Sequence, residues 1–354
     1  MSRVVVVNAG STSVKLSTVD EHGASESLDS LDALPADVAA VAHRIVHGGK
    51  RFREPVVVDG AVESALEKLR ELAPLHNGPA LAALRDARRV LPGVPHVAVF
   101  DTAFHATIPE EAAVYDVPAR WRVEWGIRRY GFHGLSAQWA AECVQLPRLV
   151  VCHLGGGCSV SAVLDGRSVD TTMGFSPLEG VPMATRSGSI DVEIVLHLLR
   201  TGRLGVEEVE RALESESGLL GLSGTTSRVE ELERSGEPGA RLALDVFAHA
   251  VAGAVAAKAA SLRGVDAIVF TGGVGEGSAR VRADVCSRLE FLGVELDPDA
   301  NAGARPDTDV AAARAAVRVV VLHAREDVVA AGAARTALSL PAQAPVEPIV
   351  IRRT

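Results

Sequence analysis

Apolar, largely β-branched runs recur along the chain at 4–7, 56–58, 97–100, 149–152, 268–270 and 319–322. Runs this short predict buried strands, and the helical patterns at 61–72 and 80–90 between them predict an α/β architecture with covered sheets. The longest small-apolar stretch, 246–260, is interrupted by His249 and Lys258, so it reads as a core helix rather than a membrane span. Three of the strands run straight into glycine- or hydroxyl-rich loops: Asn8-Ala9-Gly10-Ser11-Thr12-Ser13, His153-Leu154-Gly155-Gly156-Gly157-Cys158-Ser159 and Thr271-Gly272-Gly273-Val274-Gly275-Glu276-Gly277. Such turns let backbone N–H groups converge on an anion without Cβ obstruction. Two similar strand-loop units and a third suggest duplicated half-domains closing on a phosphate chain. None of the loops fits GxxxxGK[ST] or a full GxGxxG with an acidic residue about 20 positions on, which excludes the P-loop and dinucleotide readings.

The 354 residues exceed the size at which one core usually keeps growing, which predicts two domains. With 47% hydrophobic residues there is no case for global disorder. The formal net charge of −9 argues against nucleic acid or an anionic membrane as a partner, so an anionic ligand must be held by a few local cations. Cys143, Cys152, Cys158 and Cys286 form neither a CxxC pair nor a zinc-ligand pattern. The apolar run at the N-terminus is too short for a signal peptide, so a soluble, cytoplasmic protein with reduced thiols is expected.

Several polar constellations stand out. His43-Arg44-Ile45-Val46-His47-Gly48-Gly49 carries an arginine whose planar fork suits a carboxylate or phosphate, or else an ion pair between domains. Asp101 follows an apolar run, where an acid can cap a turn or bind Mg²⁺. His133 is bracketed by Gly131, Phe132 and Gly134, a setting open to a structural or a chemical histidine. The segment 170–191 is dense in turn formers and hydroxyls and contains Arg186. After the last apolar strand, Arg325-Glu326-Asp327 either completes a metal site or starts a solvated helix.

Taken together, VNAGSTSVK, HRIVHGG, APLHN, VFDTAFH, YGFHGLS, CHLGGGCSVSAV, SVDTTMGFSPLEGV, ATRSGSID, SGLLGLSG, FTGGVGEGS and EFLGVELD resemble the acetate kinase family, in order, from Val4 to about Leu338. The resemblance implies two duplicated actin-like, ribonuclease-H-like α/β domains with an interdomain active-site cleft. It places one domain at 1–102 plus 328–354 and the other, nucleotide-binding and dimerising, at 103–327. It implies a homodimer and reversible phosphoryl transfer between ATP or ADP and a short carboxylic acid, acetate or propionate, with Mg²⁺ or Mn²⁺. Carried over residue by residue, Arg44, Asp101, His133 and Arg186 match the catalytic set, and Asn8, Asp101 and Glu326 the metal side. Asn8, Ser11, Ser13 and Lys15 match the first phosphate loop, His153, Gly155, Gly156 and Gly157 the second. Gly273, Val274, Gly275 and Glu276 match the adenosine loop, and Val46, Leu75, Phe132 and Pro177 the acyl pocket. Bringing two anions together asks for charge neutralisation and positioning, and a carboxylate acceptor needs no general base near neutral pH.

The departures from the family pattern fall mainly on the nucleotide side. Gly156 stands where the family usually has Asn, Arg228 and Glu230 where it has Asp and Arg, and Gly277 where it has Asn. The chain between Asp20 and Arg44 is shorter than usual by about 45 residues, a change that a loop absorbs at small entropic cost. These departures leave two alternatives: a different phosphoryl donor such as pyrophosphate, or a catalytically weakened ligand-binding or regulatory paralogue.

Overall fold

A computed structural model of the chain describes residues 2–9, 14–31, 34, 37–72 and 74–351, and the side chains of residues 71–76 are likewise left undescribed. Two six-stranded sheets form its frame. The first contains β1 (Arg3–Ala9), β2 (Val14–Val19), β3 (Ser25–Leu28), β4 (Val38–Ile45), β5 (Val56–Val57) and β6 (His96–Phe100), in the order β3-β2-β1-β4-β6-β5. The second contains β7 (Arg148–Leu154), β8 (Cys158–Leu164), β9 (Arg167–Thr171), β10 (Ala267–Thr271), β11 (Thr308–Asp309) and β12 (Arg318–Val321), in the order β11-β12-β10-β7-β8-β9. Read from the hairpin edge, the second order is the first with every strand number raised by six. The pairings repeat as well. In each sheet a meander of three antiparallel strands continues through two parallel neighbours to a short antiparallel edge strand. The duplication expected from the two similar strand-loop units is therefore present in the topology of an actin-like fold.

Alternation along β1 decides which layer each valine joins. Val4 and Val6 point into an apolar layer shared with Val97 and Val99 of β6, Val151 of β7, Val269 of β10 and Val320 of β12. Two helices fill that layer between the sheets: Gly134–Val144, through Leu135 and Trp139, and Glu326–Ala337, through Val328, Ala331 and Ala334. Val5 and Val7 point the other way, toward Val41 and Ala87 of the helix Pro74–Val90. Burial on both faces is why β1 reads as an unbroken run of valines.

On the outer face of the second sheet lies the helix Pro238–Ser261. Its length and hydropathy would also suit a membrane, but Ala243, Leu244, Phe247, Val251 and Val255 are buried in the core beneath it, as expected of a core helix. The glycine run after β10 departs from expectation, since Gly272–Gly277 is a single helical turn rather than an open loop. It is held by the buried Arg282, whose Nη1 donates to the carbonyls of Gly275 (2.9 Å) and Glu276 (2.8 Å). Gly272 begins the turn at φ +78°, where an added Cβ would lie 2.7 Å from the Leu154 carbonyl oxygen.

Candidate active site

The carboxyl ends of the parallel strands β1, β4 and β6 lie side by side, with Asn8 opposite Arg44 and Ile45 opposite Phe100. Asn8, Arg44 and Asp101 therefore emerge at one edge of the first sheet. Arg44 donates through Nε to Asp101 Oδ1 (2.7 Å) and through Nη2 to Asp101 Oδ2 (2.6 Å), while its Nη1 reaches Asn8 Oδ1 at 2.9 Å. Glu326, in the first turn of the helix Glu326–Ala337, brings Oε2 to 3.3 Å from the same Nη1 and accepts from Asn8 Nδ2 at 3.5 Å. Burial works against the charged form of Arg44, but the two carboxylates outweigh it and raise its pKa. Burial raises that of Asp101 with Arg44 opposing, and both carboxylate oxygens accept from the guanidinium, the bonding of an ionised acid. At Glu326 burial is outweighed by Arg44, His153 and the Asn8 hydrogen bond, and the pKa falls.

Next to Asp101, His133 adopts φ 56° immediately before the helix Gly134–Val144. The next residue must be glycine, because a Cβ at Gly134 would sit 2.0 Å from the Asp101 carbonyl oxygen, to which the Gly134 N–H donates at 3.1 Å. This close approach locks His133 to the strand end that carries Asp101. The His133 ring packs on His153 with centroids 4.2 Å apart, and its Nδ1 lies 3.0 Å from Ser159 Oγ. His153 Nδ1 is in turn 2.8 Å from Ser136 Oγ. Burial first, then the neighbouring His153, Arg44 and Arg186, pushes the His133 pKa well below its usual value, so the ring is neutral. A Cβ built on Gly157 would lie 3.3 Å from His133 Nε2 and 3.4 Å from Arg186 Nη1, so glycine keeps open the space on which these two donors converge.

Arg186 is delivered by the turn-rich segment after β9, whose Ala184 N–H donates to the Gly156 carbonyl at 3.2 Å. Its Nη1 also reaches the Pro177 carbonyl at 3.4 Å, which places Pro177 beside it. Val46 and Phe132 are buried in one apolar cluster near these residues, whereas the Leu75 side chain, Ser11 and Ser13 lie outside the described residues. A brace that the sequence did not reveal holds the Pro177 loop. Arg129 pairs with Glu179 (2.8 Å) and donates to the carbonyls of Thr172 and Met173, and Tyr115 hydrogen-bonds Glu179 while accepting from the Phe175 N–H at 2.8 Å.

On the other side of the cleft two glycine segments face one another, with Gly155 next to His153 Nε2 and the Gly273 N–H. Gly156, Gly273 and Gly277 would each present a Cβ to open space. Glu276 does not point into this opening. Its carboxylate accepts from the N–H groups of Gly272 (3.1 Å) and Ala324 (3.0 Å) and lies 2.7 Å from His323 Nδ1, bracing the glycine turn against the segment after β12. Val274 is partly buried against the core of the second sheet, and Gly275 is buried behind it. Lys15 is exposed on β2 opposite Asn8, and Arg228 and Glu230 are exposed, Arg228 pairing with both Glu231 (3.3 Å) and Glu230 (3.5 Å). Among the described residues no group of three or more histidines, cysteines and acids forms a ready metal cage.

The Acetokinase family profile matches residues 25–332. Acetate kinase from Synechococcus sp. (strain JA-2-3B'a(2-13)) is 48% identical over 303 residues, 82% of this chain and 75% of that protein. Acetate kinase from Staphylococcus haemolyticus (strain JCSC1435) is 42% identical over 330 residues, 90% of this chain and 81% of that protein. Among solved structures, a propionate kinase from Francisella tularensis subsp. tularensis SCHU S4 superposes with a TM-score of 0.87 at 31% identity, covering 95% of this chain and 100% of that one. The acetate kinase from Entamoeba histolytica gives a TM-score of 0.86 at 27% identity, covering 96% and 100%. With the profile spanning most of its length and such relatives over four fifths of it and more, this chain belongs to the acetokinase family.

Proposed function

We propose that this protein is an acetate kinase, transferring a phosphoryl group reversibly between ATP and acetate or propionate to give the acyl phosphate and ADP. The observation that carries this reading is the space bounded by Gly157, His133 Nε2 and Arg186 Nη1, set in the same cleft as the Arg44–Asp101–Glu326–Asn8 cluster. The acceptor is already a carboxylate near neutral pH, so the chain need not supply a base. Its task is to hold two anions in line and offset the charge that gathers on the transferring group. With Ser159 Oγ–H donating to Nδ1, the neutral His133 carries its proton on Nε2 and donates it as a hydrogen bond to an equatorial phosphoryl oxygen. It forms no phosphohistidine. Arg186 and Arg44 clamp the carboxylate and the phosphoryl group, and Val46, Phe132 and Pro177, with Leu75, line a pocket for a short acyl chain.

Asp101, Glu326 and Asn8 offer only oxygen donors, which suits a hard divalent cation such as Mg²⁺ or Mn²⁺ that keeps several waters and takes phosphate oxygens. When bound, the cation supplies charge neutralisation at the phosphates. The facing segments at 155–157 and 273–276 form the nucleotide side, Glu276 acting as their brace. The division into 1–102 plus 328–354 and 103–327 is part of this reading, as is a cytoplasmic homodimer. The helix Val192–Arg200 has no buried residue and exposes Val192 (68%), Ile194 (51%) and Leu196 (46%), apolar surface that supports pairing of two copies.

A second reading, pyrophosphate as donor, is favoured by one observation: the nucleotide-side positions offer few polar groups, since Arg228 is engaged by its neighbours Glu230 and Glu231, and Gly156 and Gly277 present no side chain. Trapping acyl phosphate with hydroxylamine, with acetate, Mg²⁺ and either ATP or pyrophosphate, separates the two. Hydroxamate with ATP is the expected result; hydroxamate with pyrophosphate alone establishes the second reading, and none with either donor refutes both. A regulatory paralogue has no use for the complete charged set retained here.

A further inference from the structure

A cavity of about 340 Å³ is walled by the turn after β4 and by the segment leading to Phe132. Lys50, Arg53, Arg128 and Arg129 line it, no carboxylate does, and its apolar walls are Phe52 and Tyr130, both nearly buried. Arg129 is neutralised by Glu179, but the other three cations make no ion pair among the described residues. They donate to backbone carbonyls: Lys50 Nζ to Arg122 (3.2 Å), Arg128 Nε to Arg129 (3.4 Å) and Arg53 to Ala106. Three positive charges with no carboxylate partner, Lys50 and Arg53 exposed and Arg128 half-buried, thus gather around one hollow and favour an anion there, in a chain of net charge −9. The volume lies within the range of small-molecule sites. Neither Arg44 nor Arg186 lines it, so it is distinct from the phosphoryl and acid site.

We propose that this cavity binds a small oxyanion carrying at least two negative charges. A singly charged anion would leave two of the three cations uncompensated, whereas a dianion can accept charge-assisted hydrogen bonds from the guanidinium groups of Arg53 and Arg128 and the ammonium of Lys50 together. Phosphate and a dicarboxylate share this chemistry.

The test is calorimetric titration of the full chain with its cleft filled by Mg²⁺, a non-hydrolysable ATP analogue and acetate, at ionic strength fixed with sodium chloride. Inorganic phosphate and succinate are titrated separately. One equivalent of either should bind, and the Arg53→Ser/Arg128→Ser double variant should weaken it by about tenfold or more while keeping the wild-type kcat. Binding of phosphate alone, succinate alone or both identifies the source of the anion. Absence of binding by either, or unchanged affinity in a folded double variant, overturns the proposal.

Discussion

The substitution Gly157→Ala probes the phosphoryl position with a single methyl group. Gly157 is not among the residues at positive φ, so alanine adds no backbone strain there. Its Cβ would stand 3.3 Å from His133 Cε1 and Nε2 and 3.4 Å from Arg186 Nη1, slightly inside the optimum of ~3.5–4.0 Å, so its neighbours shift by a few tenths of an ångström. Stability should change by no more than about 0.5 kcal/mol. Activity should change far more, because a phosphoryl oxygen that accepts from both donors must sit within about 3.2 Å of each, in the space the methyl now occupies. Loss of one such contact costs about 2.7–4 kcal/mol of transition-state stabilisation, so kcat should fall at least about a hundredfold. The assay is hydroxamate formation with saturating ATP and acetate, with a thermal melt as control for folding. A kcat within about threefold of wild type in a normally melting variant would refute the assignment of this space to the transferring group.

Arg186→Ala should lower kcat by about a hundredfold or more through lost charge stabilisation, and near-normal turnover in a folded variant removes Arg186 from the mechanism. Val46→Ala should widen the acyl pocket and shift kcat/KM toward longer acids by about tenfold per methylene, and an unchanged acid preference shows that Val46 does not line it. Burial lowers the pKa of His43 to about 3 and those of His47 and His105 to about 4, from the usual 6.5. The sign follows from proton uptake on unfolding. These rings stabilise the fold fully above pH 6.5, and the contribution is lost as pH falls toward the folded values, by up to about 1.4 kcal/mol per pH unit for each ring. Urea denaturation at a series of pH values should therefore show a midpoint that falls steeply below neutrality, and a flat midpoint down to about pH 5 contradicts it.

Much of this architecture is legible in the sequence, for identifiable reasons. The valines of β1 and the apolar residues of β7 and β10 are buried on both faces, and continuous runs mark them. Strand β4, reading VAAVAHRI, is equally central but rich in alanine, a weak strand former, and no run revealed it. The duplication was visible because the turns at Asn8 and His153 follow equivalent strands. The helical turn Gly272–Gly277 was not, since glycine disfavours helix and the turn depends on Arg282. Arg129, Tyr115 and Glu179 carry no local sequence signal for the same reason as Arg282: their roles arise from contacts between segments distant in sequence. Glu276 stands out in its motif, yet what it touches, Gly272 and the chain after β12, emerges only once the two segments are packed together.

Phosphoryl transfer to the carboxylate is followed most directly by phosphorus NMR of the wild-type protein with ATP, Mg²⁺ and acetate. An acetyl phosphate resonance should grow in step with ADP and without accumulation of inorganic phosphate. Unchanged ATP, or inorganic phosphate as the sole new product alongside ADP, would contradict transfer to the carboxylate.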